Sequence, residues 1–145
     1  MKKLVYILFC VFVPMLASCD RRVIYEDNLY SAIYDIGTND WTYLEKATGE
    51  PYLAVTLTLK EITKQVCETG SVQCFRVYSD GTQACLPFQT YRKWTDETTG
   101  QEITFQDQFD FEFNVGAVYL YYTTSDFDYP DTEPDPIRIR VVVHY

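Results

Sequence analysis

Pro51-Tyr52-Leu53-Ala54-Val55-Thr56-Leu57-Thr58-Leu59-Lys60 is the stretch that decides the fold. Its apolar side chains fall on alternate positions, Leu53, Val55, Leu57 and Leu59, with Ala54, Thr56, Thr58 and Lys60 between them. Side chains of a strand alternate between faces, so this period reads as a half-buried β-strand. The same rhythm recurs further along the chain. Val118, Leu120 and Tyr122 alternate with Tyr119 and Tyr121, and Ile137, Ile139, Val141, Val143 and Tyr145 alternate with Arg138, Arg140, Val142 and His144. Upstream, residues 29–36 read as a strand ended by Gly37-Thr38-Asn39-Asp40, and residues 41–44 as a short extended piece.

The middle of the chain is less regular. Ile62 and Val66 sit four apart, a spacing that suits one helical turn over residues 61–66 better than more strand. Asp80-Gly81 predicts a type I′ hairpin between residues 72–79 and 83–91, with Arg76 opposite Cys85. Ile103, Phe105, Phe109, Phe111 and Phe113 share one parity and Asp107 interrupts them. A β-bulge over residues 106–108 would turn Asp107 outward. Turn chemistry recurs at roughly 8–15-residue intervals. Together these features predict an all-β fold: an antiparallel, immunoglobulin-like β-sandwich of seven or eight strands over residues 29–145.

The N-terminus is of another kind. Lys2 and Lys3 precede an apolar run over residues 4–16, broken only by Pro14, and Leu16-Ala17-Ser18-Cys19 follows. A basic start, an apolar core and small residues at the cut define an exported protein's signal peptide. The apolar run is short of the about 20 residues of a membrane span. The Leu-Ala-Ser-Cys ending resembles the lipobox of bacterial lipoproteins, which implies cleavage after residue 18 and lipidation of Cys19. Residues 19–28 are polar and charged, and read as a tether with a reach of ~20 Å.

Removing residues 1–18 leaves 127 residues, enough for one core. Without Lys2 and Lys3 there are 10 basic residues against 21 acidic, a net charge of −11. Such a surface does not suit nucleic acid, and would not dock by charge on anionic lipid.

Cys67, Cys74 and Cys85 remain once Cys19 is lipidated and Cys10 is discarded. A two-residue Gly70-Ser71 turn would set Cys67 opposite Cys74, with Cα atoms about 5.5 Å apart. That is the disulfide the sequence offers; three reduced, buried thiols are the alternative. The cysteines lack the Cys-x-x-Cys spacing and nearby histidine of a metal site.

Catalytic signatures are absent from the sequence. His144 is the single histidine and lies on the polar parity of its strand, as a solvated edge residue would. There is no Gly-x-Ser-x-Gly, phosphate loop or His-Glu-x-x-His. The acidic loop over residues 125–136 holds five carboxylates and three prolines, which reads as a stiff solvated connection or as a calcium site. Trp41, Trp94, Tyr91, Tyr119 and Tyr121 are the candidate ligand-binding residues. Aromatic faces beside carboxylates suit a sugar ring and its hydroxyl groups.

Glu61-Ile62-Thr63, Gly70-Ser71-Val72, Cys85-Leu86-Pro87-Phe88, the run 116–122 with Ser125-Asp126-Phe127, and Ile139-Arg140-Val141-Val142-Val143 resemble segments of small exported lipoproteins of Bacteroidetes. The resemblance spans residues 41–145 and implies a single β-sandwich-like domain, lipid-anchored in the outer membrane. It implies no catalytic residue and no cofactor. The expectation is thus a non-enzymatic envelope protein that binds a glycan or a protein partner. The alternative is an accessory subunit that assembles by strand pairing.

Overall fold

The computed structural model describes residues 23–26, 28–126 and 134–145, with side chains described from residue 28 onward. The signal segment, Cys19 and most of the acidic loop lie outside the described residues. Among the described residues ten strands form two five-stranded antiparallel sheets packed face to face, the expected β-sandwich with more strands than the seven or eight predicted. In chain order they are β1 (Val23–Glu26), β2 (Leu29–Ile36), β3 (Thr42–Glu45), β4 (Pro51–Thr58), β5 (Ser71–Val77), β6 (Gln83–Cys85), β7 (Phe88–Thr95), β8 (Glu102–Asn114), β9 (Ala117–Thr124) and β10 (Ile137–His144). Among the described residues a single α-helix, α1 (Lys64–Thr69), joins β4 to β5, and a 3-10 turn spans Thr38–Asp40. The first sheet has the order β1-β2-β10-β5-β6 and the second β3-β4-β9-β8-β7.

Two of the additional strands have local causes. Val23–Glu26, inside the segment read as a tether, pairs with β2 from Val23↔Ala32 to Glu26↔Leu29. Residues 83–91, read as one strand, are two. Pro87 has no amide to donate to a ladder, and there the chain leaves the first sheet and enters the second. β10 is the central strand of the first sheet, between β2 and β5. His144 is therefore half-buried on a central strand and not at an edge.

The alternating residues meet between the sheets. Leu53, Val55 and Leu57 of β4 and Val118, Leu120 and Tyr122 of β9 face Ile137, Ile139, Val141 and Val143 of β10 across the core. Val66 of α1 and Ile62 just before it close one end, the helical turn displaced a few residues from its expected place. Thr63 caps that helix by accepting from the Val66 amide at 3.3 Å. Trp41 also turns inward, its ring 6.4 Å from Phe109 and 6.2 Å from Tyr122.

The helix removes the predicted Gly70-Ser71 hairpin, and the Cys67–Cys74 disulfide with it. Cys67 is exposed on α1 and Cys74 is buried on β5, and both are free thiols, as is exposed Cys85. The β5–β6 turn is also longer than predicted. Tyr78 and Thr82 close a three-residue loop through Tyr78 N–H to Thr82 O at 2.9 Å, and only Gly81 takes positive φ, at 85°. Asp80 Oδ1 holds the loop, accepting from the Thr82 amide at 2.9 Å and the Thr82 hydroxyl at 2.7 Å. One extra residue shifts the register so that Phe75, not Arg76, faces Cys85. Such a slip moves every side chain to the other face. Cys74 and Cys85 consequently point to opposite sides of the sheet.

No bulge interrupts β8. Its pairing runs unbroken through Asp107, opposite Thr90 on β7 and Thr124 on β9. Asp107 points inward and is 4% exposed. A buried carboxylate needs partners. Arg92 supplies Nε at 2.6 Å from Oδ2 and donates from Nη2 to Oδ1 at 3.1 Å, and Tyr122 donates its hydroxyl to Oδ1 at 3.0 Å. Arg92 Nη2 also donates to the Tyr122 hydroxyl at 2.8 Å, which closes a triangle between β7, β8 and β9. Burial by itself lowers the Arg92 pKa; the hydrogen bond to Asp107 and the charges of Tyr122, Asp107 and Asp126 outweigh it and raise it.

Candidate functional site

The outward face of the second sheet is where aromatic and acidic side chains meet. Residues opposite in the ladder share a face, so Tyr121 lies with Ala54 and Asp110, and Tyr119 with Thr56 and Glu112. Tyr52 precedes core residue Leu53, which puts it on this outer face too. Its ring meets Tyr121 edge-on at 5.8 Å. Between them opens a groove of about 470 Å³ lined by Lys46, Tyr52, Gln108, Asp110, Glu112, Tyr121 and Thr123.

The groove is a hydrogen-bond surface. The Tyr121 hydroxyl donates to Glu112 Oε2 at 3.0 Å. Burial, then the hydrogen bond and charge of Glu112 with Tyr52 and Tyr119 behind it, push the Tyr121 pKa up to about 12. Gln89 Nε2 donates to Gln108 Oε1 at 3.1 Å, which fixes the orientation of that amide. Lys46 is held by Glu50, Nζ to Oε2 3.1 Å, and so is already paired. Asp110 and Glu112 therefore leave the groove negative. Carboxylates accept from hydroxyl groups and repel anions.

The five aromatics named from sequence separate. Tyr119 and Tyr121 share the outward face of β9, and of the two Tyr121 lines the groove. Tyr91 is on the same face, 71% exposed, opposite Gln106. Four residues along β8 and two strand spacings set it ~16 Å from Tyr121. Trp41 is half-buried and packs against the core, its ring turned toward Phe109 and Tyr122. Trp94 is 51% exposed, but on the opposite face from Tyr91, with the parity of Arg92. Tyr52 escaped the sequence reading. Its signal was its place on the polar parity of the most regular strand in the chain.

Among the described residues, no group of three or more His, Cys, Asp or Glu side chains is arranged to hold a metal ion. The acidic loop proposed for calcium falls largely on residues outside that set. No described helix is long and apolar enough to cross a membrane. Comparison of the chain with protein-family models, curated proteins and solved structures gives no match.

Proposed function

We propose that this chain is a non-enzymatic, lipid-anchored protein of the bacterial cell envelope that binds a neutral glycan on the outward face of its second sheet. The observation that carries the reading is the pairing of Tyr52 and Tyr121 over a groove edged by Asp110 and Glu112. Aromatic rings offer flat apolar surface to the C–H face of a sugar, and the carboxylates and Gln108 take its hydroxyl groups. The negative edge selects against acidic sugars. Lipidation of Cys19 would keep this face within a short tether of the membrane, so the glycan would belong to the envelope or its immediate surroundings.

The test uses residues 19–145, which carry every described element, with Cys19→Ser to keep the chain unlipidated. On an array of neutral and acidic glycans it should bind a neutral class. Truncating a central aromatic anchor costs about 2 kcal/mol, or roughly 30-fold in affinity. Tyr121→Ala should lose that much, and Tyr91→Ala far less. Binding that survives Tyr52→Ala with Tyr121→Ala would sink the reading. For the anchor, Cys19→Ser in the full chain should abolish palmitate labelling in cells.

A second reading has one observation in its favour. Among the described residues β7 is an eight-residue edge strand that pairs with β8 alone. An open edge can accept a strand from a partner, as an assembly subunit would. Arg92 and Lys93 on the same strand are residues that natural edges use to discourage such pairing.

A further inference from the structure

Arg76 sits on the inner face of β5, opposite Ile139, where an apolar residue would be expected. Its guanidinium carbon is 5.0 Å from the Tyr78 ring, 5.4 Å from Phe109 and 5.5 Å from Phe88. Among the described residues no carboxylate lies within ion-pair distance of it. The contrast with Arg92, a strand away across the core, is direct: that cation is held by buried Asp107.

Both arginines open onto one cavity of about 250 Å³ between the sheets, with Tyr78, Phe109, Tyr122 and Ile137 in its walls. Of the carboxylates described there, Asp107 is buried and already held by Arg92, and Asp126 adds its charge to Arg92, whereas Arg76 has no ion pair among the described residues. Among the described residues the contacts of Arg92 use Nε and Nη2, and none uses Nη1. Asp135 stands exposed at the rim and pairs with neither arginine. The volume is that of about eight waters, small for a ligand pocket. The walls are part apolar, from the Tyr78, Phe109 and Tyr122 rings and Ile137, and part polar, from the two arginines, Asp107 and Thr90. Guanidinium forks match the geometry of a carboxylate, donating two parallel hydrogen bonds.

We propose that this inter-sheet cavity binds a small carboxylate carried on a six-membered ring, the carboxylate held by Arg76 and the Nη1 edge of Arg92 and the ring lying against Phe109 and Tyr78. A free aromatic acid and the uronic acid of a glycan present the same group. The site is independent of the tyrosine groove, which excludes anions, and stands or falls apart from the glycan reading.

Residues 19–145 with Cys19→Ser are titrated with benzoate, glucuronate, benzyl alcohol and glucose, followed by side-chain NMR signals of arginine and the aromatic rings. A ligand of this size should bind with a Kd of ~1 mM. Benzoate, glucuronate or both should shift Arg76, Arg92 and Phe109 saturably, and the two neutral probes should not. Saturation by benzoate alone assigns the ring as flat and aromatic; saturation by glucuronate alone assigns a sugar acid. Arg76→Met should weaken binding at least about tenfold, whereas Arg140→Met should leave it unchanged. Arg140 lies over Phe75 on the outward face of the same sheet, its guanidinium carbon 4.7 Å from the ring. Tyr121→Ala should also leave it unchanged. Where Arg76→Met does not fold, the location of the shifts in the parent chain decides. Absence of saturable shifts at ten times the expected Kd overturns the proposal. So do shifts confined to the outer faces, or equal weakening by Arg140→Met.

Discussion

Arg92→Met tests whether Asp107 is held in the core by charge. Asp107 is 4% exposed and takes three contacts, Arg92 Nε at 2.6 Å, Arg92 Nη2 at 3.1 Å and the Tyr122 hydroxyl at 3.0 Å. The substitution keeps most of the aliphatic stem and removes the first two. Losing one partner of a buried pair costs about 3–5 kcal/mol, because the remaining charge stays desolvated. The Arg92 side chain is 38% exposed, so solvent already screens part of the interaction and the lower end, about 3 kcal/mol, is expected. Asp107→Asn is the milder change. It removes the charge, and Arg92 can turn toward water, so about 1.5–2 kcal/mol should be lost. Arg92→Met with Asp107→Leu leaves no buried charge and should recover to within about 1 kcal/mol of the parent. Urea unfolding followed by tryptophan fluorescence reads all three, since Trp41 lies 6.2 Å from Tyr122 in the same cluster. The reasoning is refuted if Arg92→Met costs under about 1 kcal/mol, or if the double variant is no more stable than Arg92→Met alone.

Gly70→Ala should destabilise by about 1–3 kcal/mol in the same assay, because a Cβ there would press on the His144 carbonyl and come 3.0 Å from Val66 Cα, both backbone. A thiol reagent should label Cys67 and Cys85 of the native protein rapidly and Cys74 only on unfolding, and reductant should leave the unfolding midpoint unchanged. Burial, and then the nearby Cys85, push the Cys74 thiol up to about 12 from an ordinary 9.0. A pKa raised in the folded state stabilises fully below the unfolded value and is lost above the folded one. Stability should therefore fall as pH rises from 9 toward 12, and Cys74→Ala should flatten that fall in an alkaline unfolding series.

The parity of a strand is a local property, and for that reason the sequence alone determined much of this protein. Alternation in residues 53–59, 118–122 and 137–143 identified core-facing side chains without knowledge of any partner. The same parity put Tyr119 and Tyr121 outward, so part of the candidate groove was legible. Register and sheet membership depend on contacts far apart in the chain, and these only the tertiary structure decided. One extra residue in the Asp80-Gly81 loop turned Cys85 away from Cys74. Pro87 sent Phe88 and Arg92 to the other sheet from Gln83. That crossing brought Arg92 beside Asp107, so a charge on an apolar parity, which suggested a bulge, had a partner fifteen residues earlier. Trp41 packs inward for a similar reason: Phe109 and Tyr122, more than sixty residues away, build the space it fills. Local patterning fixes which way a side chain points. What it meets there is set by the long-range pairing of the strands.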